Sequence, residues 1–319
     1  MAFLTLLLGM IQGVNPSPSL GSSRDDLELL EWCARTIEDK DSHRESSFDL
    51  DLATADTRID LVTSPPPDSD LPFSLRVSPT IRWISGHVTV RENAIQGTRL
   101  DLDRDLGLRT AAGANAEFDI DRPGVQFQME VEDLFGWGGH PSRNSFNWNG
   151  TTFLAPAQVR DHSSFLTVRP TIAVKALAVE KADAWLGPVV GLEYPYYTVS
   201  VSTNREKGSL EDWVHYLPYP VIGLAGHMNL AESFSLNARF TAGYLPNVPV
   251  PYIEGGRLYV SARPSIFLEV PLIWRLGPSF DLSCTLTYQY WSGRDHSNED
   301  GNTLTISSPG MMVGLDYHW

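Results

Sequence analysis

One short stretch of the chain holds the residue types that nucleophilic catalysis needs. His162 and Ser164 are separated by one residue, and Asp133 lies with the same parity on the neighbouring strand predicted below. A serine becomes a nucleophile when a histidine accepts its proton, and a carboxylate orients that histidine. Ser164, His162 and Asp133 are therefore candidates for a hydrolytic site. The same spacing recurs at His140 and Ser142, so a solvated pair of polar side chains is the competing interpretation.

A second group of residues is charged and recurs at alternate positions along the chain. A buried charge persists only when it is paired, so a shared interior would hold these side chains as ion pairs. Such an interior predicts either a closed, charge-paired core or a narrow water-filled pore. The residues on this predicted inner face are Arg76, Arg82, Arg109, Glu117, Asp119, Glu130, Glu132, Arg169, Lys175, Glu193, Arg239, Arg263, Glu269, Asp281 and Asp316.

The elements that would position both groups are β-strands. In the segment 125–132, Val125, Phe127, Met129 and Val131 alternate with polar residues, which predicts a strand with one apolar face. About ten such segments follow one another from residue 73 to residue 319, and eight or twelve remain possible because the first and sixth are irregular. Many are longer than the usual 5–6 residues and reach the ~9–11 that cross a bilayer when tilted.

The links between these segments are predicted to alternate in length. Those expected on one side are short: Asp121–Gly124, Lys181–Asp183, Ala231–Ser233 and Leu276–Ser279. Those expected on the other side are long: 91–105, 134–162, 204–212, 246–256 and 292–302. Short turns on one side and long loops on the other are typical of transmembrane barrels.

The closing strand carries the family resemblance. Val313, Leu315, Tyr317 and Trp319 alternate, and the strand ends on an aromatic residue. Here the chain resembles bacterial outer-membrane β-barrel proteins, whose last strand is read by the barrel-assembly machinery. The resemblance implies an all-β, antiparallel, up-and-down transmembrane barrel in the outer membrane of a Gram-negative-type bacterium, in contact with membrane lipids. A periplasmic soluble β-barrel or sandwich that binds a ligand is the alternative, because a polar face can also face water.

The N-terminal residues predict two further segments before the barrel at 73–319. Residues 1–20 resemble a signal peptide in their apolar core but lack a positively charged start. Residues 21–72 contain 14 acidic and 5 basic side chains, a net charge of −9. We interpret this segment as an acidic periplasmic tail with a short helix, and a docking segment for a periplasmic partner is the sharper alternative.

Composition excludes several classes of function. A formal net charge of −15 argues against nucleic-acid binding. No cysteine–histidine spacing predicts a zinc site, and no cofactor or other metal is expected.

Two enzyme families of the outer membrane offer limited resemblances. The spacing of His162 and Ser164 is similar to that of lipid A deacylases, which would make the protein a lipid-modifying hydrolase at the membrane rim. Omptin proteases use Asp and His on outer loops, where Asp161-His162 and Asp295-His296 are predicted. The sequence as a whole favours a structural or interaction role, or a narrow porin-like pore, over an enzyme.

Overall fold

The computed structural model describes residues 60–61, 73–91, 96–142, 144–179, 183–203, 213–215, 217–251, 257–297 and 301–319. The signal-like segment and the acidic tail lie outside the described residues, except for the strand Asp60–Leu61, which pairs with Leu177–Val179. The described part of the chain contains no helix long and apolar enough to cross a membrane.

Ten long strands form the fold, and their bounds are β1 Phe73–Trp83, β2 Thr110–Arg122, β3 Val125–Ser142, β4 Ala157–Val174, β5 Ala184–Thr203, β6 Tyr219–Ala231, β7 Phe234–Pro251, β8 Arg257–Arg275, β9 Phe280–His296 and β10 Gly301–His318. Each pairs antiparallel with the next, and β10 pairs with β1, so the sheet closes into a barrel. Shorter strands are Ser85–Thr89, which extends β1, Leu100–Asp101, Trp213–His215 and the hairpin Phe146–Trp148 with Thr151–Phe153. The predicted all-β class, the up-and-down order and the count of ten strands are confirmed.

Aromatic side chains mark two levels on the outer surface. Phe73, Phe118 and Trp319 stack at the end that carries the short turns, with centroids 6.1–6.4 Å apart. Phe135 and Trp137 stack towards the opposite end. From Phe73 to Trp83 the strand rises about 33 Å, or about 23 Å along the barrel axis at a tilt near 45°. That height matches the apolar band, ~25 Å tall, of transmembrane barrels.

The two faces of the barrel exchange polarity above this band. On β10, Met311, Val313 and Leu315 point outwards within the band, whereas Thr303 and Thr305 point outwards above it. The inward positions change in the opposite sense, from polar below to Leu304 and Ile306 above. The lower part is thus apolar outside and polar inside, as a bilayer requires. The interior of the upper part is mostly apolar, as in a water-soluble barrel, with Asp161 and Asp295 as buried polar exceptions.

The strands are longer than the sequence predicts on the side of the long links. β3 continues to Ser142 and β4 begins at Ala157, so most of the predicted link 134–162 is strand. Likewise β9 ends at His296 and β10 begins at Gly301, which leaves a short connection where 292–302 is predicted. The exchange of polarity explains why these strand ends were predicted as links. The alternating apolar residues that identify a lipid-facing strand stop at the edge of the apolar band, although the strand continues.

Candidate functional site

The interior has three layers, and the middle one is built from ion pairs. Arg76 lies between β10 and β2, with its Nε 2.5 Å from Asp316 Oδ1 and its Nη1 3.1 Å from Glu117 Oε1. The same Nη1 is 3.7 Å from Glu269 Oε1 on β8. These side chains point inwards from β10, β1, β2 and β8, so the guanidinium ties together carboxylates from four strands of one side of the barrel.

Two further arginines complete this middle layer. Arg82 donates two hydrogen bonds to Glu132, from Nε at 2.8 Å and from Nη2 at 2.9 Å. Arg169 donates to Glu130 at 2.6 Å and to Glu193 at 3.4 Å. Its guanidinium also lies 3.7 Å from the centroid of the Phe267 ring, a distance suited to cation–π attraction. The contact between Arg169 on β4 and Phe267 on β8 spans the lumen, and Arg82, Arg169 and Phe267 are fully buried, so side chains fill the described lumen at this level.

Above the ions an apolar plug fills the outer mouth. The plug consists of residues 96–109, which follow β1, and residues 144–156, which contain the hairpin between β3 and β4. Its buried side chains pack against inward residues of the barrel wall, and they are Leu100, Leu102, Leu106, Leu108, Phe146, Trp148 and Phe153. The outer half of the barrel is therefore closed by a hydrophobic core.

Backbone hydrogen bonds hold the plug in place. Thr98 N donates to Asn147 O at 2.9 Å, which joins the two plug segments. Leu102 N donates to Gly86 O at 3.1 Å, which ties the plug to the extension of β1.

The plug turns around Asp105. Burial raises the pKa of its carboxyl, but hydrogen bonds from Arg104 and from Asp101 N outweigh that effect, so its pKa lies below the usual value. The turn thus carries an ionised, hydrogen-bonded carboxylate.

A tyrosine lies where the ion layer meets the apolar core. Gln289 Nε2 donates to Tyr197 Oη at 2.7 Å, and Thr167 Oγ1 is 3.1 Å from the same oxygen. The ring of Tyr197 packs edge-on against Trp291, with centroids 5.0 Å apart. One fully buried side chain therefore satisfies a polar contact below and an apolar contact above.

Below the ions lies an open vestibule of about 660 Å³ at the end with the short turns. Lys175 pairs with Asp121 at its mouth and lies 5.6 Å from the ring of Trp185. His318 Nε2 is 3.0 Å from Asp281 Oδ2. Deeper in the cavity, Arg239 donates to Thr171 Oγ1 at 2.6 Å and His227 Nδ1 is 2.6 Å from Asn237 Oδ1. The vestibule ends at the Arg76 cluster.

Most of the charges proposed from the sequence lie inside the barrel, but two do not. Arg109 precedes the start of β2, in a stretch where strand alternation does not apply, and its side chain is 76% exposed beside Asp103. Arg263 is exposed because the β7–β8 and β8–β9 registers slip near it, which reverses the phase of β8. As a consequence Val260 and Ala262, expected on the outer face, point inwards.

The candidate hydrolytic residues are not brought together by the strand register. His162 and Ser164 both point outwards from β4, above the band. His162 faces Trp137 on β3, whereas Asp133 faces Leu166. Asp133 is thus four residues along β3 from the partner of His162, a separation of about 13 Å along the strand, too far for a carboxylate to orient the imidazole.

The two Asp–His pairs considered for an omptin-like site are divided between the faces of the barrel. Asp161 and Asp295 are buried and point inwards, while His162 and His296 point outwards. Adjacent residues of a strand always diverge in this way. Within the described ranges, no group of three or more His, Cys, Asp or Glu residues is arranged to hold a metal ion.

The plug is the part of the interior that the sequence analysis missed. Residues 91–105 are predicted there as a long outer link, with no role for their leucines. Leu100 and Leu102 lie in that link, and Leu106 and Leu108, just beyond it, continue the same even parity. A run of apolar residues with one parity in a supposed loop is a usable signal that the loop packs inwards, because exposed loops seldom carry such a set.

Comparisons with known proteins give remote structural similarities. No protein-family model matches the chain, and no curated protein sequence matches it. The structure of the outer membrane protease OmpT from Escherichia coli aligns at a TM-score of 0.45 with 14% identity, over 79% of this chain and 100% of that one. The translocator domain of the autotransporter NalP from Neisseria meningitidis aligns at 0.32 with 11% identity, over 92% of this chain and 96% of that one. The attachment invasion locus protein Ail of Yersinia pestis aligns at 0.28 with 8% identity, over 76% of this chain and 98% of that one.

Proposed function

We propose that this protein is a closed β-barrel of the bacterial outer membrane with a structural or interaction role. The observation that carries the proposal is the filled lumen. An apolar plug occupies the outer mouth, and the buried ion pairs of Arg76, Arg82 and Arg169 lie beneath it. A pore needs a continuous aqueous path, which two successive seals interrupt.

The outward face supports the location in a membrane. Apolar side chains between two aromatic levels cover the lower barrel, where Ile222 is 67% and Leu286 is 61% exposed. A water-soluble barrel would bury these side chains, so the soluble periplasmic alternative fits the structure poorly. The lipid-facing band is the surface we assign to outer-membrane lipids.

The closing strand fits the proposed contact with the barrel-assembly machinery. Tyr317 and Trp319 stack at 5.6 Å, and Trp319 N donates to Phe73 O at 3.1 Å. Val313 and Leu315 point outwards on the same strand. The four residues thus present one apolar edge before β1 pairs with β10, which is the form a strand-reading machinery would engage.

The upper barrel supplies the surface for interaction. On β4, the residues above Leu166 continue for about 20 Å along the axis beyond the apolar band. Their outward side chains include Arg160 and His162, which are exposed. Because a hydrophobic core fixes this part from inside, it is a rigid surface suited to binding a partner outside the cell. The acidic tail is assigned to the periplasmic side, where Asp60–Leu61 joins the β4–β5 end.

Planar-bilayer recording tests the closed state. Purified protein whose migration on a gel changes with heating, and which is therefore folded, should give no stepwise conductance. A variant without residues 99–107 that also carries Arg82→Ala and Glu132→Ala removes parts of both seals and should conduct. Stepwise currents from the unaltered protein, abolished when the protein is unfolded beforehand, would overturn the proposal in favour of a narrow pore.

A further inference from the structure

The floor of the vestibule carries more negative than positive charge. Glu117, Asp119, Glu269 and Asp316 surround Arg76 and Arg239, and all six side chains are at least nine-tenths buried. Their formal charges leave an excess of two negative charges on the floor. Buried carboxylates need positive partners, and the described residues of the floor supply two such partners for four carboxylates.

Several polar atoms of the floor lack a hydrogen-bond partner among the described residues. They include one carboxylate oxygen each of Glu117, Glu269 and Asp316, and the hydroxyls of Ser78 and Ser283. Gly314 lies between Ser283 and Arg76. A Cβ at this position would be 2.7 Å from Ser283 Oγ and 3.0 Å from Arg76 Cγ, so the Ser283 hydroxyl lies beside the Arg76 cluster. The carboxylate oxygens can only accept hydrogen bonds, so they leave room for a donor from a ligand.

Apolar side chains stand among the polar ones on one wall of the vestibule. Trp185, Ala225, Ala238 and Ile273 line the cavity on β5 to β8. The wall on β2 and β3 is polar and includes Asp119, Gln126 and Gln128. A cavity of about 660 Å³ exceeds what a bare ion occupies and lies in the range of small organic ligands.

We propose that the vestibule binds a small linear aliphatic amine from the periplasm, with an ammonium group seated against Glu117, Glu269 and Asp316. The ammonium donates three hydrogen bonds and brings the positive charge that the floor lacks. The methylene chain then packs against the apolar side chains of this wall, which include Trp185 and Ile273. The site requires only the lower half of the barrel and is independent of whether the outer mouth is sealed.

Isothermal titration of the full-length protein in detergent with 1,4-diaminobutane tests the proposal. Saturable binding is expected, while 1,4-butanediol, which has the same chain without charge, should give none. Glu269→Gln should weaken diaminobutane binding by roughly tenfold or more, because it removes a charged acceptor. Glu232→Gln changes the charge equally in the exposed β6–β7 turn and should leave binding unchanged.

Three outcomes would overturn the inference. They are no saturable heat with the diamine, equal heats with the diol, or equal weakening by both Gln variants, the last of which would indicate general attraction to an acidic protein. The comparison of diamine with diol needs no variant, so it remains decisive if Glu269→Gln fails to fold. An unfolded variant is recognised by migration on a gel that does not change with heating.

Discussion

The pair formed by Arg82 and Glu132 offers the sharpest test of the ion layer. Both side chains are at most 2% exposed and are joined by two hydrogen bonds. Arg82→Met leaves the Glu132 carboxylate buried without its partner. Breaking a buried pair from one side costs about 3–5 kcal/mol in the free energy of unfolding, which corresponds to roughly a hundredfold or more in the unfolding equilibrium.

The double variant separates pairing from packing. Replacing Arg82 and Glu132 together with Met removes both charges and keeps much of the volume, a change that is often neutral or stabilising for buried pairs. We therefore expect the double variant to be more stable than either single one, with a coupling free energy of about 2 kcal/mol or more. Arg109→Met makes the same substitution in an exposed pair and should change stability by less than about 0.5 kcal/mol.

Urea unfolding in detergent micelles, followed by tryptophan fluorescence, measures these free energies. The four proteins of the cycle are compared under one detergent and salt condition, because both affect the unfolded state. Strict additivity of the two single variants would refute the reasoning, since it would mean that the two side chains contribute independently. A loss for Arg109→Met as large as for Arg82→Met would also refute it, because exposure would then not matter.

Three further outcomes follow from the structure. Leu102→Asp places a charge in the dry plug and should make the outer loops sensitive to protease, yet conductance should stay absent because the ion layer remains; conductance in this variant alone would show that the plug is the only seal. Trp319→Ala should lower the yield of heat-modifiable protein in refolding assays, whereas Tyr317→Phe keeps an aromatic ring and should not. Burial and the nearby Arg99 lower the pKa of His87, so the unfolded state is protonated first as pH falls. Stability should therefore decrease from about pH 7.5 to about pH 5.5, and urea unfolding of a His87→Gln variant should show a weaker decrease.

The lower barrel could be predicted from sequence because each strand there has lipid on one side and a polar lumen on the other. Phe127, Met129 and Val131 alternate with Gln128 and Glu130, and the structure places them on opposite faces. Period-two alternation is a local property of the chain, so it needs no knowledge of the partner strand.

Phase is harder to predict than period. Along β8 the inward positions change from even, at Val260 and Ala262, to odd, at Phe267 and Glu269. The change occurs where the pairing register slips around Pro264. A proline within a strand is compatible with a bulge, but the number of residues that the bulge absorbs is set by the neighbouring strand. Whether Arg263 points into the lumen or outwards therefore depends on the neighbouring strands and cannot be predicted from the residues of β8 alone.

The exchange of polarity between the two halves of the barrel explains both the success and the failure of the sequence analysis. A strand that leaves the bilayer keeps its hydrogen bonds, yet water replaces lipid outside and the plug replaces polar side chains inside. On β4 the outward residues change from Val168 and Leu166 to Ser164 and His162, while the inward ones change from Arg169 to Phe165 and, beyond the polar Ser163 and Asp161, to Val159. Both changes occur within a few residues, so the apolar stripe crosses from one face to the other. A prediction that looks for one continuous lipid-facing stripe ends the strand at this crossing. In the structure the strand continues, and the crossing marks the surface of the membrane. His162 and Ser164, which first suggested catalysis, stand just beyond this boundary, where the outward face becomes polar.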